Sequence, residues 1–71
     1  MNRIRLTKRE YEVLSRLAKT DADIANELSI SINSVRQITK HLFYKLNVSS
    51  RTAAVLKALQ YELINIYNFA L

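Results

Sequence analysis

The sequence predicts an all-α fold of four helices, the last of them extended. Three observations lead there. None of the 71 residues is Gly or Pro, so nothing interrupts a helix and turns with positive φ fall to Asn or Ser. Apolar residues recur at steps of three and four, the spacing of a helical stripe that packs on a core. Hydroxyl residues stand just before these stripes, where a helix start needs an acceptor for its free amides. The 71 residues form one domain with a small core. Such a core is marginally stable alone, and that makes a partner surface worth seeking.

The elements follow in order. Residues 1–6 form a short basic arm in which Arg3 and Arg5 alternate with Ile4 and Leu6. Residues 7–19 read as the first helix. Thr7 and Glu10 have capping-box spacing, and Tyr11, Val13, Leu14, Leu17 and Ala18 make its apolar face. Residues 20–28 read as a short second helix. Thr20 and Asp23 repeat the capping pattern, and Asp21 and Asp23 bring negative charge to the positive end of the helix dipole. Ile24, Ala25 and Leu28 face inward.

Residues 30–46 read as the long helix around which the chain is organised. Val35, Ile38, Leu42 and Leu46 form its apolar stripe, with Ser31 at its start. Asn33, Arg36, Gln37, Lys40 and Tyr44 form the opposite stripe. Every member of that second stripe can hydrogen-bond. Arg pairs with guanine and Asn or Gln with adenine through two hydrogen bonds to base edges. A short helix, a joint near Ser29 and a long polar-faced helix together make the helix-turn-helix plan, with the second helix in the major groove.

Asn47 suits a left-handed helix end, and Ser49 or Ser50 caps a fourth helix from about Arg51. Leu56, Leu59, Leu63, Ile66 and Ala70 step 3, 4, 3, 4, as a coiled-coil seam does. Tyr67 adds apolar surface beside it. Residues 59–71 therefore read as a helical tail for self-association. In the alternative, Ala54, Val55, Leu59 and Leu63 dock this helix on the helix-turn-helix.

The net charge is +5, and it is segregated. Glu10, Glu12, Asp21, Asp23 and Glu27 hold all but one of the acids, whereas residues 28–61 hold none. That span carries Arg36, Lys40, Lys45, Arg51 and Lys57, a one-sided field that draws a polyanion. Cys is absent and His41 is the lone histidine, which leaves no thiolate metal site and no expected cofactor or metal. There is no nucleophile–base pair, so an enzyme is not expected. Asp21 and Asp23 read as caps and not as an acid–base pair. No apolar run is long enough for a bilayer and no stretch resembles a signal, so no membrane association is expected and a cytoplasmic protein is.

The pieces resemble, in order, the LuxR-type (GerE-type) helix-turn-helix family. Leu6-Thr7-Lys8-Arg9-Glu10 with Val13-Leu14 looks like its LTxRExxVL opening. Asp23-Ile24-Ala25 with Leu28, Ile30 and Ser31 looks like its EIAxxLxIS stretch, and Ser34-Val35-Arg36 stands where it has Thr-Val-Lys. Lys45-Leu46-Asn47-Val48, Arg51 and Ala54-Val55 look like its KLxVxxRxxAV ending. The chain departs from the pattern in a shorter turn without Gly between the first two helices. It also has Ile38 where His is common, and Ser29 and Asn47 where Gly is common. A weaker resemblance, carried by Ser34-Val35-Arg36-Gln37-Ile38 and Lys45-Leu46, is to region four of bacterial sigma factors, which reads a promoter element and touches RNA polymerase.

The LuxR resemblance implies a bacterial transcription regulator that binds double-stranded DNA as a homodimer through its fourth helix. On that basis Arg36, Gln37 and Lys40 read bases, with Asn33 and Tyr44 at the edges. Arg9, Thr20, Ser31, Ser34, Lys45 and Arg51 hold phosphates. Leu56, Leu59, Leu63, Ile66, Tyr67 and Ala70 form the dimer interface. The extended tail favours a stand-alone regulator over a fragment of a longer one. The alternative is a sigma-like or protein-interaction module that binds RNA polymerase or another regulator through its tail.

Overall fold

A computed structural model describes residues 4–65 of the chain. Four helices follow one another, α1 (Lys8–Leu14), α2 (Asp21–Leu28), α3 (Ile32–Leu46) and α4 (Arg51–Gln60), with no strand among the described residues. The all-α, four-helix expectation holds. Each helix opens on a hydroxyl. Thr7, Thr20, Ser31 and Ser50 lie in extended backbone, and each accepts a hydrogen bond from the amide three residues on. At Thr7 the capping box is complete, for Glu10 Oε1 accepts from the Thr7 amide at 2.9 Å.

α3 is the axle, packing against α1, α2 and α4. Its Val35, Leu42 and Leu46 are fully buried among Val13, Leu14, Ile24, Ala54 and Ala58. Ala54 and Ala58 are small, which lets α4 approach the axle closely. The fourth helix thus docks on the helix-turn-helix through Ala54 and Ala58, with Val55 and Leu59 partly buried beside them.

Two expectations need correction. The first helix does not reach Lys19; it ends at Leu14 and residues 15–18 form a tighter turn. In a continuing α-helix the Arg16 amide would donate to Glu12 O. Here it donates to Val13 O at 3.0 Å, and Glu12 O instead accepts from Ser15 Oγ at 3.1 Å and Arg16 Nη1 at 2.8 Å. Side chains have taken the carbonyl that the next turn needed. The tighter winding keeps Leu17 in the core but leaves Ala18, expected on the apolar face, exposed.

The second correction concerns the tail. α4 stops at Gln60, where Glu62 turns left-handed, and it does not run on as an extended helix. Leu63 N donates to Ala58 O at 2.8 Å, and the chain folds back so that Ile64 enters the core at 4% exposure. The 3–4 stepping is therefore not a seam over the described residues. Leu56 faces solvent, whereas Leu59 and Leu63 are partly buried against the core. The remaining interface residues, Ile66, Tyr67 and Ala70, lie outside the described residues.

The ends of α2, α3 and α4 share one device. Ser29, Asn47 and Glu62 have φ of 57°, 56° and 60°. The residue after each donates back across the last turn, Ile30 to Ala25 O, Val48 to Phe43 O and Leu63 to Ala58 O. These are Schellman closures made without glycine. A side chain with Cβ in this region costs roughly 1–2 kcal/mol, less for Asn. Ser29→Gly is expected to stabilise the domain by about 0.5–1 kcal/mol, the relief of strain exceeding the added freedom of the unfolded chain. The check is a rise in denaturant midpoint at unchanged slope.

Candidate nucleic-acid interface

The polar face of α3 is built by exclusion. Val35, Leu42 and Leu46 fix one side in the core, and the other side can only point outward. Asn33, Arg36, Gln37, Lys40 and Tyr44 are all exposed, Tyr44 at 88%. At 3.6 residues per turn they fall within an arc of about 100°, over a rise of roughly 16 Å. A B-DNA major groove is about 12 Å wide and admits one helix. Among the described residues Lys40 is in no ion pair, whereas Arg36 Nε lies 3.8 Å from Asp21 Oδ2 with its side chain 68% exposed.

The residues expected at phosphates are placed less uniformly. Thr20, Ser31 and Ser34 do lie at the starts of α2 and α3, beside the polar face. Their hydroxyls already cap, Thr20 for Asp23 N at 3.1 Å and Ser31 for Ser34 N at 3.0 Å, and Ser31 Oγ donates to Ser34 Oγ at 3.0 Å. Arg9 is paired with Glu12 at 3.2 Å.

Lys45 and Arg51 hold the frame together. Lys45 Nζ donates to Glu10 Oε1 at 2.6 Å and to Arg5 O at 3.0 Å, tying α3 to α1 and to the arm before it. Arg51 engages three partners: Nε donates to Leu17 O at 3.1 Å, Nη2 to Lys19 O at 2.6 Å and Nη1 to Asp21 Oδ1 at 2.7 Å. It closes the turn after α1 and fastens the start of α2 to α4.

The whole arrangement is an exposed polar face of α3 whose opposite face packs against α1, α2 and α4. Residues 5–58 match the family described as bacterial regulatory proteins, luxR family. The chain belongs to this family. Its LuxR-type helix-turn-helix is a DNA-binding domain. It is 42% identical over 62 residues to the transcriptional regulatory protein LiaR of Bacillus subtilis, covering 84% of this chain and 29% of LiaR. It is 39% identical over 61 residues to the response regulator protein VraR of Staphylococcus aureus and of Staphylococcus epidermidis, covering 83% of this chain and 29% of theirs. The chain thus spans less than a third of the length of these relatives. No solved structure gives a significant match. No helix among the described residues is long and apolar enough to cross a membrane.

Sequence reasoning missed two connections in this LuxR-type domain. Glu10 was legible as a cap, and it is also the partner of Lys45. Asp21 was legible only as a helix-start charge, yet it meets both Arg36 and Arg51.

Glu10 is buried, and burial alone would push its carboxyl up. Hydrogen bonds from Lys45 and from the Thr7 amide, with the charge of Lys45, outweigh burial and hold it below its usual 4.5. A folded value below the unfolded one means that this stabilisation is present above pH 4.5 and is lost as pH falls through the folded value. Glu10→Gln should therefore be less stable than wild type at neutral pH, and the gap should shrink on acidification below about pH 4.5. Denaturant midpoints of both proteins from neutral pH to about pH 3 check this; a constant gap contradicts it.

Proposed function

We propose that this chain is a sequence-specific regulator of transcription that binds double-stranded DNA as a homodimer, with α3 in the major groove. Arg36, Gln37 and Lys40 read base edges, and Asn33 and Tyr44 touch the ends of the footprint. Phosphates are met by Arg9, by Thr20, Ser31 and Ser34 at the helix starts, and by nearby backbone amides. Lys45 ties α3 to α1, and Arg51 ties the start of α2 to α4, through the bonds they make inside the chain. One observation carries the proposal: the five exposed polar residues of α3 share one arc while its other face is locked in the core.

The homodimer is supported by α4. Leu56 is 62% exposed, and with Leu17, Ala18, Thr52 and Val55 it lines an open apolar groove. The interface lies on α4 and that groove, because Leu63 is packed against the core and Ile64 belongs to it. The relatives' names, a transcriptional regulatory protein and response regulators, support a role in regulation.

Leu56→Glu tests the dimer together with DNA binding. Sedimentation is expected to shift from dimer to monomer, and thermal unfolding of the variant should match that of wild type diluted until it is monomeric, because in the single chain the side chain is 62% exposed. Affinity for a two-half-site duplex is expected to fall to that for a single half-site. A variant that remains dimeric moves the interface elsewhere. A monomeric wild type that binds no duplex but captures RNA polymerase would favour the interaction module built on the same exposed Leu56.

A further inference from the structure

Asp21 opens α2 and faces guanidiniums from two other helices. Its Oδ1 accepts from Arg51 Nη1 at 2.7 Å, and its Oδ2 lies 3.8 Å from Arg36 Nε. Arg51 is itself pinned by Leu17 O at 3.1 Å and Lys19 O at 2.6 Å. One oxygen of the carboxylate is thus fixed to the frame, and the other is presented to α3.

The atom that Arg36 turns toward Asp21 is the informative one. Nε is the inner nitrogen of the guanidinium. Nε is the nitrogen paired with Asp21, and the two terminal nitrogens have no partner among the described residues, so they can donate side by side to guanine O6 and N7. At 68% exposure the contact does not cover this fork. An unrestrained arginine on a helix surface loses rotamer freedom when it binds, and a carboxylate that draws on Nε removes part of that freedom beforehand.

We propose that Asp21 is a positioning residue that sets the base preference of Arg36 by aiming its terminal fork at a guanine. This rests on the placement of α3 in the major groove. An exposed ion pair of this length contributes little to folding. Its effect is therefore expected in sequence preference and not in stability.

The test is a selection from a randomised duplex library on four proteins: wild type, Asp21→Asn, Arg36→Ala and the double variant. Asn keeps the shape of Asp21 and an acceptor for Arg51 but loses the charge that faces Arg36. Asp21→Asn is expected to weaken the preference for guanine at one position by roughly two- to fivefold, the most that an exposed ion pair supplies. That position is the one flattened by Arg36→Ala, and the double variant should look like Arg36→Ala alone. A merely structural Asp21 would lower enrichment at all positions and do so in the Arg36→Ala background as well, which overturns the proposal. So does an Asp21→Asn motif that is unchanged or sharper at that position, the mark of a carboxylate that masks Arg36. Asp21→Glu, which keeps the charge for Arg51 but displaces it from Arg36, should disturb the same position and no other. If Arg36→Ala flattens no single position, the placement of α3 has failed, a result separable from a failure of Asp21 alone.

Discussion

Arg51→Ala should lower the unfolding free energy by about 2–3 kcal/mol, far more than surface substitutions usually do. The side chain is 36% exposed, so its ion pair with Asp21 alone would contribute little. The larger effect comes from Leu17 O and Lys19 O, to which Arg51 donates at 3.1 Å and 2.6 Å. Both carbonyls lie in or beside the tight turn after α1, where no continuing helix supplies amides. Without the guanidinium they lose their charged donor, and α4 loses its tie to the start of α2. For a domain of this size the expected loss corresponds to a fall in melting temperature of roughly 10–20 °C. Arg51→Lys restores only part of this, because one ammonium cannot span three partners placed for a planar fork. Thermal unfolding of the two variants checks the ranking. An Arg51→Ala protein within about 0.5 kcal/mol of wild type would mean that Arg51 is a surface charge after all.

Arg36→Ala should cost about 1–3 kcal/mol in binding to the preferred duplex and relax preference at one base pair. It should leave folding nearly unchanged, since the side chain is 68% exposed and its ion pair with Asp21 spans 3.8 Å. The two predictions separate the two kinds of arginine in this domain, one that holds the frame and one that reads. The contrast is measurable on one pair of duplexes, preferred and singly substituted, at one salt concentration. A base reader loses the difference between them, whereas a phosphate contact loses affinity for both alike and lowers the salt slope. Equal loss on both duplexes would make Arg36 a phosphate contact and shift the reading face around α3.

The helix starts and the core face of α3 were legible in the sequence because both depend on local chemistry. A hydroxyl before an apolar stripe is enough to place Thr7, Thr20 and Ser31 and to narrow the fourth start to Ser49 or Ser50, and the spacing of Val35, Leu42 and Leu46 fixes which face is buried. The left-handed end at Asn47 was legible for the same reason, since Asn tolerates that conformation better than most, whereas Ser29 was legible only as part of a joint, at a family position that often carries Gly. The end of α1 was not, because it depends on Ser15 and Arg16 side chains competing for Glu12 O. The end of α4 was not, because a coiled-coil seam and a helix that folds back share the same apolar stepping until Ile64 is placed in the core. The family resemblance and their charge suggested phosphate contacts at Lys45 and Arg51, and only the packing of α1 and α2 shows the acceptors that engage them.

The most direct test of the central proposal is a selection of random duplex DNA on the wild-type chain, run beside Leu56→Glu. The point variant is preferable to removing residues 59–71, because Ile64 is part of the core. The expected result is an enriched motif of two related half-sites about 10 base pairs apart, reduced to one weak half-site in the variant. No enrichment from either protein, even at low salt, would contradict a base-reading α3.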